Sequence, residues 1–356
     1  MSRRTRIALA LAAGCILLAV ALRGLDLGSI GARIGSADPR WLGLAAVVYL
    51  SAYFVRSLRW RLILRPIARV TVREGFVMLM AGYFLNYLIP IRAGEIAKSF
   101  FLKRTKGVPI ATSLPTVFVD KLLELFSILL VIVMVPVLSV KLSGSLASLI
   151  VAVLVIFVMA TGLLLLAIRK RENTVRIVCR LFSWLPRRAY DRISSWMGLF
   201  INGLSLSAST VRGLWGLLAL TGCAVLLDAV YFRLIFLAFD IPVSFPIVLF
   251  GYTLISLSYI LPTPPAQIGY NQMIMELIFA AGLGMSRLDA MSVMLLAHPL
   301  TGILITVVGL WSFSSMSIRV TESFRRIEEE GALAGAAPAA CPAPDAPRSE
   351  FEGRNE

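Results

Sequence analysis

Long apolar runs separated by short arginine-rich links constrain this chain more than any other feature. Apolar stretches fall at about 7–22, 41–58, 110–137, 147–168, 213–239 and 290–312. A helix needs about 20 apolar residues to cross the hydrocarbon core of a bilayer. Inside that core every backbone N–H and C=O must be bonded within the structure itself. The runs therefore predict an all-α fold, a polytopic membrane protein with about six spanning helices. Composition agrees: 58% of the 356 residues are hydrophobic and 15% are charged, against roughly 25% charged in an average soluble domain. A net charge of +15 would suggest nucleic acid in a soluble chain, but here the cations concentrate in the links. That placement reads as topology and as contact with anionic lipid headgroups, and no nucleic-acid partner is expected.

The first run follows Arg3, Arg4 and Arg6. It reads as an uncleaved first helix, although Ala19-Val20-Ala21 resembles a signal-peptide cleavage site. A short link of mixed charge, 23–40, leads to the second run. Arg56, Arg59, Arg61, Arg65, Arg69 and Arg73 then mark a cytoplasmic link. The stretch 76–91 is short for a span and contains Gly82, Asn86 and Pro90. A second basic link with Arg92, Lys98, Lys103, Arg104 and Lys106 follows it. A re-entrant hairpin at 76–91 keeps both basic links on the cytoplasmic side, whereas a span would separate them. The stretch 247–261 ends in Pro262-Thr263-Pro264-Pro265 and leads to a link where Arg287 is the only cation between Arg233 and Arg319. It reads as a second re-entrant hairpin, entering from the other face. Residues 169–212 form a cytoplasmic basic link with an amphipathic surface helix expected near 175–185. Residues 321–356 are Ala/Pro-rich and read as a disordered cytoplasmic tail. This gives a transmembrane domain over 1–320, with halves at about 41–140 and 211–312, in the cell inner membrane with both termini cytoplasmic. Glu95, Gly107 and Lys121 are matched by Gln272, Gly284 and His298 at one constant offset. With hairpins opening to opposite faces, the layout is an inverted repeat, and the site belongs near the midplane between the hairpins.

Charged side chains inside a span are costly and mark function unless they serve as structural pairs. Asp120, Lys121 and Glu124 share one helical face by their spacing. They read either as an ion cluster tying helices together or as a substrate or proton site. Arg92, Gly94 and Glu95 follow Pro90: Arg92 suits a phosphate, and Glu95 suits either a first-turn cap or a charge partner. The equal separations of Glu95 from Lys121 and of Gln272 from His298 predict a direct pair in each half. His298 is the only histidine, and packing with a hydrogen bond is the plainer reading for it. Asp228 lies mid-span, and Arg233 is on the wrong face to pair with it. The cysteines Cys15, Cys179, Cys223 and Cys341 form no CxxC pair, so neither a disulfide framework nor a metal site is expected. The chain lacks a GxxxxGK[ST] loop, HExxH and GxSxG. Neither catalysis nor a cofactor is expected.

The run Gly82-Tyr-Phe-Leu-Asn86-Tyr-Leu-Ile-Pro90-Ile-Arg92-Ala-Gly94-Glu95, with Asp120-Lys121-Leu-Leu-Glu124 downstream, resembles the flippase-like lysylphosphatidylglycerol synthase transmembrane family. So does Leu261-Pro262-Thr-Pro264-Pro-Ala-Gln-Ile-Gly269-Tyr-Asn-Gln272. The resemblance covers about residues 5–320 and implies movement of aminoacylated, glycosylated or isoprenoid lipids between leaflets. Pro265 and Ala266 stand where the family carries glycines, and Gln272 replaces an acid. The soluble aminoacyl-transferring domain of some relatives has no counterpart here. The substrate-binding set expected is Asn86, Arg92, Glu95, Asp120, Lys121, Glu124, Gln272 and His298. Gly82, Pro90, Gly94, Pro262, Pro264 and Gly269 shape the hairpins. Membrane lipids, and an envelope lipid-modifying enzyme, are the expected partners. The alternative function is a non-transporting accessory subunit of an envelope glycosyltransferase or lipid synthase.

Overall fold

The computed structural model describes residues 3–88, 93–125, 127, 129, 133, 134, 144–169, 214–259 and 263–316. The described residues are helical apart from short turns and links. In order they form α1 (Arg3–Leu22), α2 (Leu27–Gly35), α3 (Pro39–Leu64), α4 (Val72–Leu88), α5 (Ala93–Lys106), α6 (Ile110–Leu125), α7 (Gly144–Arg169), α8 (Leu214–Ala238), α9 (Phe245–Ser258), α10 (Tyr270–Met275) and α11 (Arg287–Ser315). A 3-10 turn at Pro265–Gln267 precedes α10, and a π-helical stretch at Glu276–Gly282 continues it. The helices α3, α8 and α11 are long and apolar enough to cross a membrane. The chain is a polytopic helical membrane protein. The expected surface helix near 175–185, the tail 321–356 and the residues Pro90, Arg92 and Pro262 lie outside the described residues.

Helix starts follow the local sequence. Asp38 caps α3 through a 2.8 Å bond from the Arg40 amide, with Pro39 in the first turn. Thr71 and Glu74 form a reciprocal capping box at α4: the Thr71 amide donates to Glu74 Oε2 at 2.9 Å, and the Glu74 amide to Thr71 Oγ1 at 3.3 Å. The stretch 23–40, expected as a plain link, contains α2, which turns 91° from α1. Asp26 caps this helix, and Arg33 pairs with Asp289 of α11.

Apolar side chains occupy both the interior and the outer faces of the long helices. Ile303, Val307 and Leu310 leave an apolar stripe on the outside of α11, as Val47 and Phe54 do on α3. Such faces suit lipid tails rather than water. The interior joins Tyr49, Trp60, Phe84, Phe101, Phe236, Phe250, Phe279 and Phe313 into one core across α3, α4, α5, α8, α9, α11 and the π-helical stretch.

Small residues let the helices of the first hairpin touch. A Cβ on Gly82 would come 2.9 Å from the Gly94 carbonyl oxygen, and one on Gly94 would strike the Gly82 carbonyl. Gly94→Ala should therefore force α4 and α5 apart and cost about 1–3 kcal/mol, read as a lower Tm in detergent. An unchanged Tm would mean that this crossing tolerates a side chain.

Three cations expected in basic links lie elsewhere. The helix α3 continues to Leu64, so Arg56, Arg59 and Arg61 all sit within it; Arg61 is exposed, whereas Arg56 and Arg59 pair with Asp228 and Asp120, and Arg59 is 1% exposed. Lys98, on α5, is 0% exposed. Counting cations along the sequence cannot distinguish a topology mark from the counterion of a distant acid.

Candidate functional site

The site grows from the helix pair α4–α5: the stretch 76–91, expected to form a hairpin by itself, is a single arm as far as Leu88, and the returning arm is α5, which the sequence alone reads as a basic link. Between α4 and α5 the Asn86 side chain closes the turn: its Oδ1 accepts from the Gly94 amide at 2.9 Å and its Nδ2 donates to Glu95 Oε1 at 3.1 Å. This places Glu95 in the first turn of α5, facing α6. There Lys121 Nζ lies 3.0 Å from Glu95 Oε1, the contact that the equal spacing predicts.

The pair belongs to a larger network. Lys98, one turn beyond Glu95 on α5, reaches Glu95 Oε2 at 2.8 Å and lies 3.9 Å from Asp120 Oδ2. Arg59 Nε donates to Asp120 Oδ1 at 2.8 Å, and its Nη2 donates to Glu124 Oε1 at 3.1 Å. Lys121 Nζ closes the circuit on Glu124 Oε2 at 2.7 Å. Thus Arg59, Asp120, Lys98, Glu95, Lys121 and Glu124 form a closed ring of alternating charge joining α3, α5 and α6. Beside it Arg56 pairs with Asp228 of α8, and Arg233 instead reaches the Ile241 carbonyl at 3.4 Å. Among the described residues each buried charge thereby has an opposite partner, the condition for keeping it charged at depth.

Aromatic rings line this network. Lys98 and Lys121 sit 5.0 and 5.7 Å from the centre of the Tyr83 ring, and Arg56 sits 5.2 Å from that of Tyr53. Tyr49 packs on Tyr53 and Tyr231 at 4.8 and 5.2 Å. Such contacts hold cations by the ring quadrupole.

The opposite wall comes from the second half. His298 lies on α11 and Gln272 on α10, and Gln272 Nε2 is 3.3 Å from His298 Nδ1. His298 Nε2 lies 2.7 Å from the Ala266 carbonyl. A carbonyl only accepts, so Nε2 carries the proton and Nδ1 accepts from Gln272, the arrangement of a neutral imidazole. Ala266 and Gln267 hold φ of 52° and 57°, and Gly269 holds 75°. A glycine at 266 would occupy this conformation without strain. Ala266→Gly should stabilise the protein by about 1 kcal/mol, measured as a raised Tm; a lowered Tm would show that the methyl packs usefully. A side chain on Gly269 would strike the Gly14 carbonyl of α1, and one on Gly14 would come 3.2 Å from Pro264 Cβ.

Between the walls lies a cavity of about 450 Å³. Arg56, Tyr83, Asn86, Glu95, Lys121 and Glu124 face it from one side, and Tyr259, Gln267, Asn271, His298 and Thr301 from the other. Asp120 and Gln272 do not line it; both stand behind a lining residue. Tyr87 of α4 approaches His298, with ring centres 6.4 Å apart, so the two halves meet directly. Arg56, Arg59, Lys98 and the tyrosines stand outside the site residues that the sequence predicts. A sequence signal existed for Lys98, three residues from Glu95, and for Tyr49 and Tyr53, four apart on one helix face.

Residues 7–309 match the family described as the lysylphosphatidylglycerol synthase TM region. The chain belongs to this family. A UPF0104 membrane protein of Methanothermobacter thermautotrophicus is 26% identical over 288 residues, covering 77% of this chain and 82% of that protein. The glycosyltransferase AglD of Haloferax volcanii is 23% identical over 364 residues, covering 92% of this chain. The match spans 57% of the length of AglD. No solved structure matches.

Proposed function

We propose that this member of the lysylphosphatidylglycerol synthase TM family moves, or handles during movement, an anionic or headgroup-modified lipid between leaflets. Phospholipid, aminoacyl-lipid, glycolipid and isoprenoid lipid all fall within this class. The observation that carries the reading is a cavity of about 450 Å³ in a helical membrane protein, with charged, amide and tyrosine side chains set into a largely apolar lining. A headgroup in the cavity would exchange hydration for tyrosine, amide and charged groups. Its acyl chains would remain beside Phe118 and Ile156, which line the cavity and are exposed on the outside. Asn86, Glu95, Lys121, Glu124 and His298 would contact the headgroup, with Asp120 and Gln272 holding the contacting residues in place. In this reading the chain performs no bond chemistry and needs no cofactor.

The architecture proposed is an inverted repeat of about six spans and two re-entrant hairpins in the inner membrane, with both termini cytoplasmic. It draws on the matched hairpins α4–α5 and α9–α10 and on Gly107 and Gly284, which end their segments at φ of 71° and 74°. Single cysteines at Arg65 and Lys103 in a cysteine-free chain should both resist labelling from outside. Labelling of one alone would make the first hairpin a span.

Transport itself is tested in reconstituted vesicles carrying headgroup-labelled lipids. Wild-type protein should expose inner-leaflet label to an external quencher faster than protein-free vesicles, and Glu95→Gln should slow the exchange. Equal rates for folded wild type and empty vesicles across anionic, aminoacylated and glycosylated lipids would reject transport. A second reading, an accessory subunit of an envelope glycosyltransferase or lipid synthase, is favoured by the similarity to AglD. It would gain if an envelope enzyme co-purified and lost activity without this chain while no lipid moved.

A further inference from the structure

We propose a second lipid site, separate from the cavity, that binds the phosphate of an anionic phospholipid at the turn between α3 and α4. A pocket there is lined by Arg61, Leu62, Arg65, Ala68, Arg69 and Val70. Its charge differs in kind from that of the interior. In the cavity network each described cation has an acid against it, whereas among the described residues no acid pairs with Arg61, Arg65 or Arg69. The nearest acid in sequence, Glu74, is engaged by Lys106 at 2.8 Å and by the Thr71 amide at 2.9 Å.

The turn is built to hold this shape. The Ile67 and Ala68 amides both donate to the Leu64 carbonyl at 2.8 Å. Arg61 Nε donates to the Val70 carbonyl at 2.7 Å, fixing one guanidinium while its terminal nitrogens have no partner within the described protein. Planar guanidinium groups match phosphate oxygens in pairs. Leu62, Ala68 and Val70 add an apolar flank where the long apolar helix α3 ends, against which a glycerol backbone and upper acyl chain would pack. Free phosphate would use the arginines alone; a lipid would use both parts.

Native mass spectrometry of the full chain in detergent tests this, with phosphatidylglycerol, phosphatidylcholine and inorganic phosphate as probes. Wild type should retain phosphatidylglycerol in preference to phosphatidylcholine. Removing both charges with Arg65→Gln and Arg69→Gln should weaken that binding about thirtyfold, and Arg65→Gln alone about fivefold should the double variant fail to fold. Arg73→Gln, which removes an equal charge from the same region outside the pocket, should leave binding near wild type. An equal loss in Arg73→Gln would mean diffuse surface attraction and overturn the site. Displacement of the lipid by inorganic phosphate at similar concentration would overturn the lipid assignment, as would equal retention of phosphatidylcholine.

Discussion

Arg59→Met should destabilise the protein by about 3–5 kcal/mol, the usual cost of removing one member of a buried ion pair. The guanidinium is 1% exposed and serves Asp120, Glu124 and, at 3.3 Å, the Thr221 hydroxyl. Without it Asp120 keeps only Lys98 at 3.9 Å, and a buried carboxylate loses its closest counterion. Adding Asp120→Asn should recover part of the loss, since it removes the stranded charge as well. Thermal unfolding in detergent measures both variants. A loss under about 1 kcal/mol for Arg59→Met would mean that water reaches Asp120 and screens it.

Glu95→Gln should cost a similar amount, about 3–5 kcal/mol, and should impair lipid movement as well. Were Glu95 only a helix cap, the loss would be about 0.3–1 kcal/mol and indifferent to residue 121. The network sharpens the test. Exchanging Glu95→Lys with Lys121→Glu restores one pair, but it sets a second lysine against Lys98, which is buried and three residues along the same helix. Rescue by the exchange should therefore be partial, and adding Lys98→Met should improve it. A double-mutant cycle between residues 95 and 121 should give coupling above about 0.5 kcal/mol. Strict additivity would return Glu95 to a capping role.

Much of this site was legible because it repeats a spacing. Equal separations alone pair Glu95 with Lys121 and Gln272 with His298, and their spacing sets Asp120, Lys121 and Glu124 on one helical face. The helices were legible for the same kind of reason, since hydropathy reports span-length segments directly. What stayed hidden was the destination of cations. Arg56 and Arg59 stand in a row of arginines whose other members are exposed, and their acids lie on α6 and α8, far along the chain. Asp228 could not be assigned its partner on α3 until the two helices were seen packed together. The strain at Ala266 was half legible: the departure from glycine was visible, but the left-handed backbone that makes it matter was not.

The ring of alternating charge also has a mechanical consequence. It has no free end, so sliding α3 or α5 past α6 must break two ionic contacts at once, and sliding α6 past both must break four. Those helices are expected to travel as one block. Across the cavity the contacts to α11 are of another kind, with Tyr87 against His298 and the Gly302 backbone. Rings and small residues can part and re-form without stranding a charge. If the protein changes shape to admit a headgroup, the seam that opens is the aromatic one, and the ionic ring is the part that stays shut.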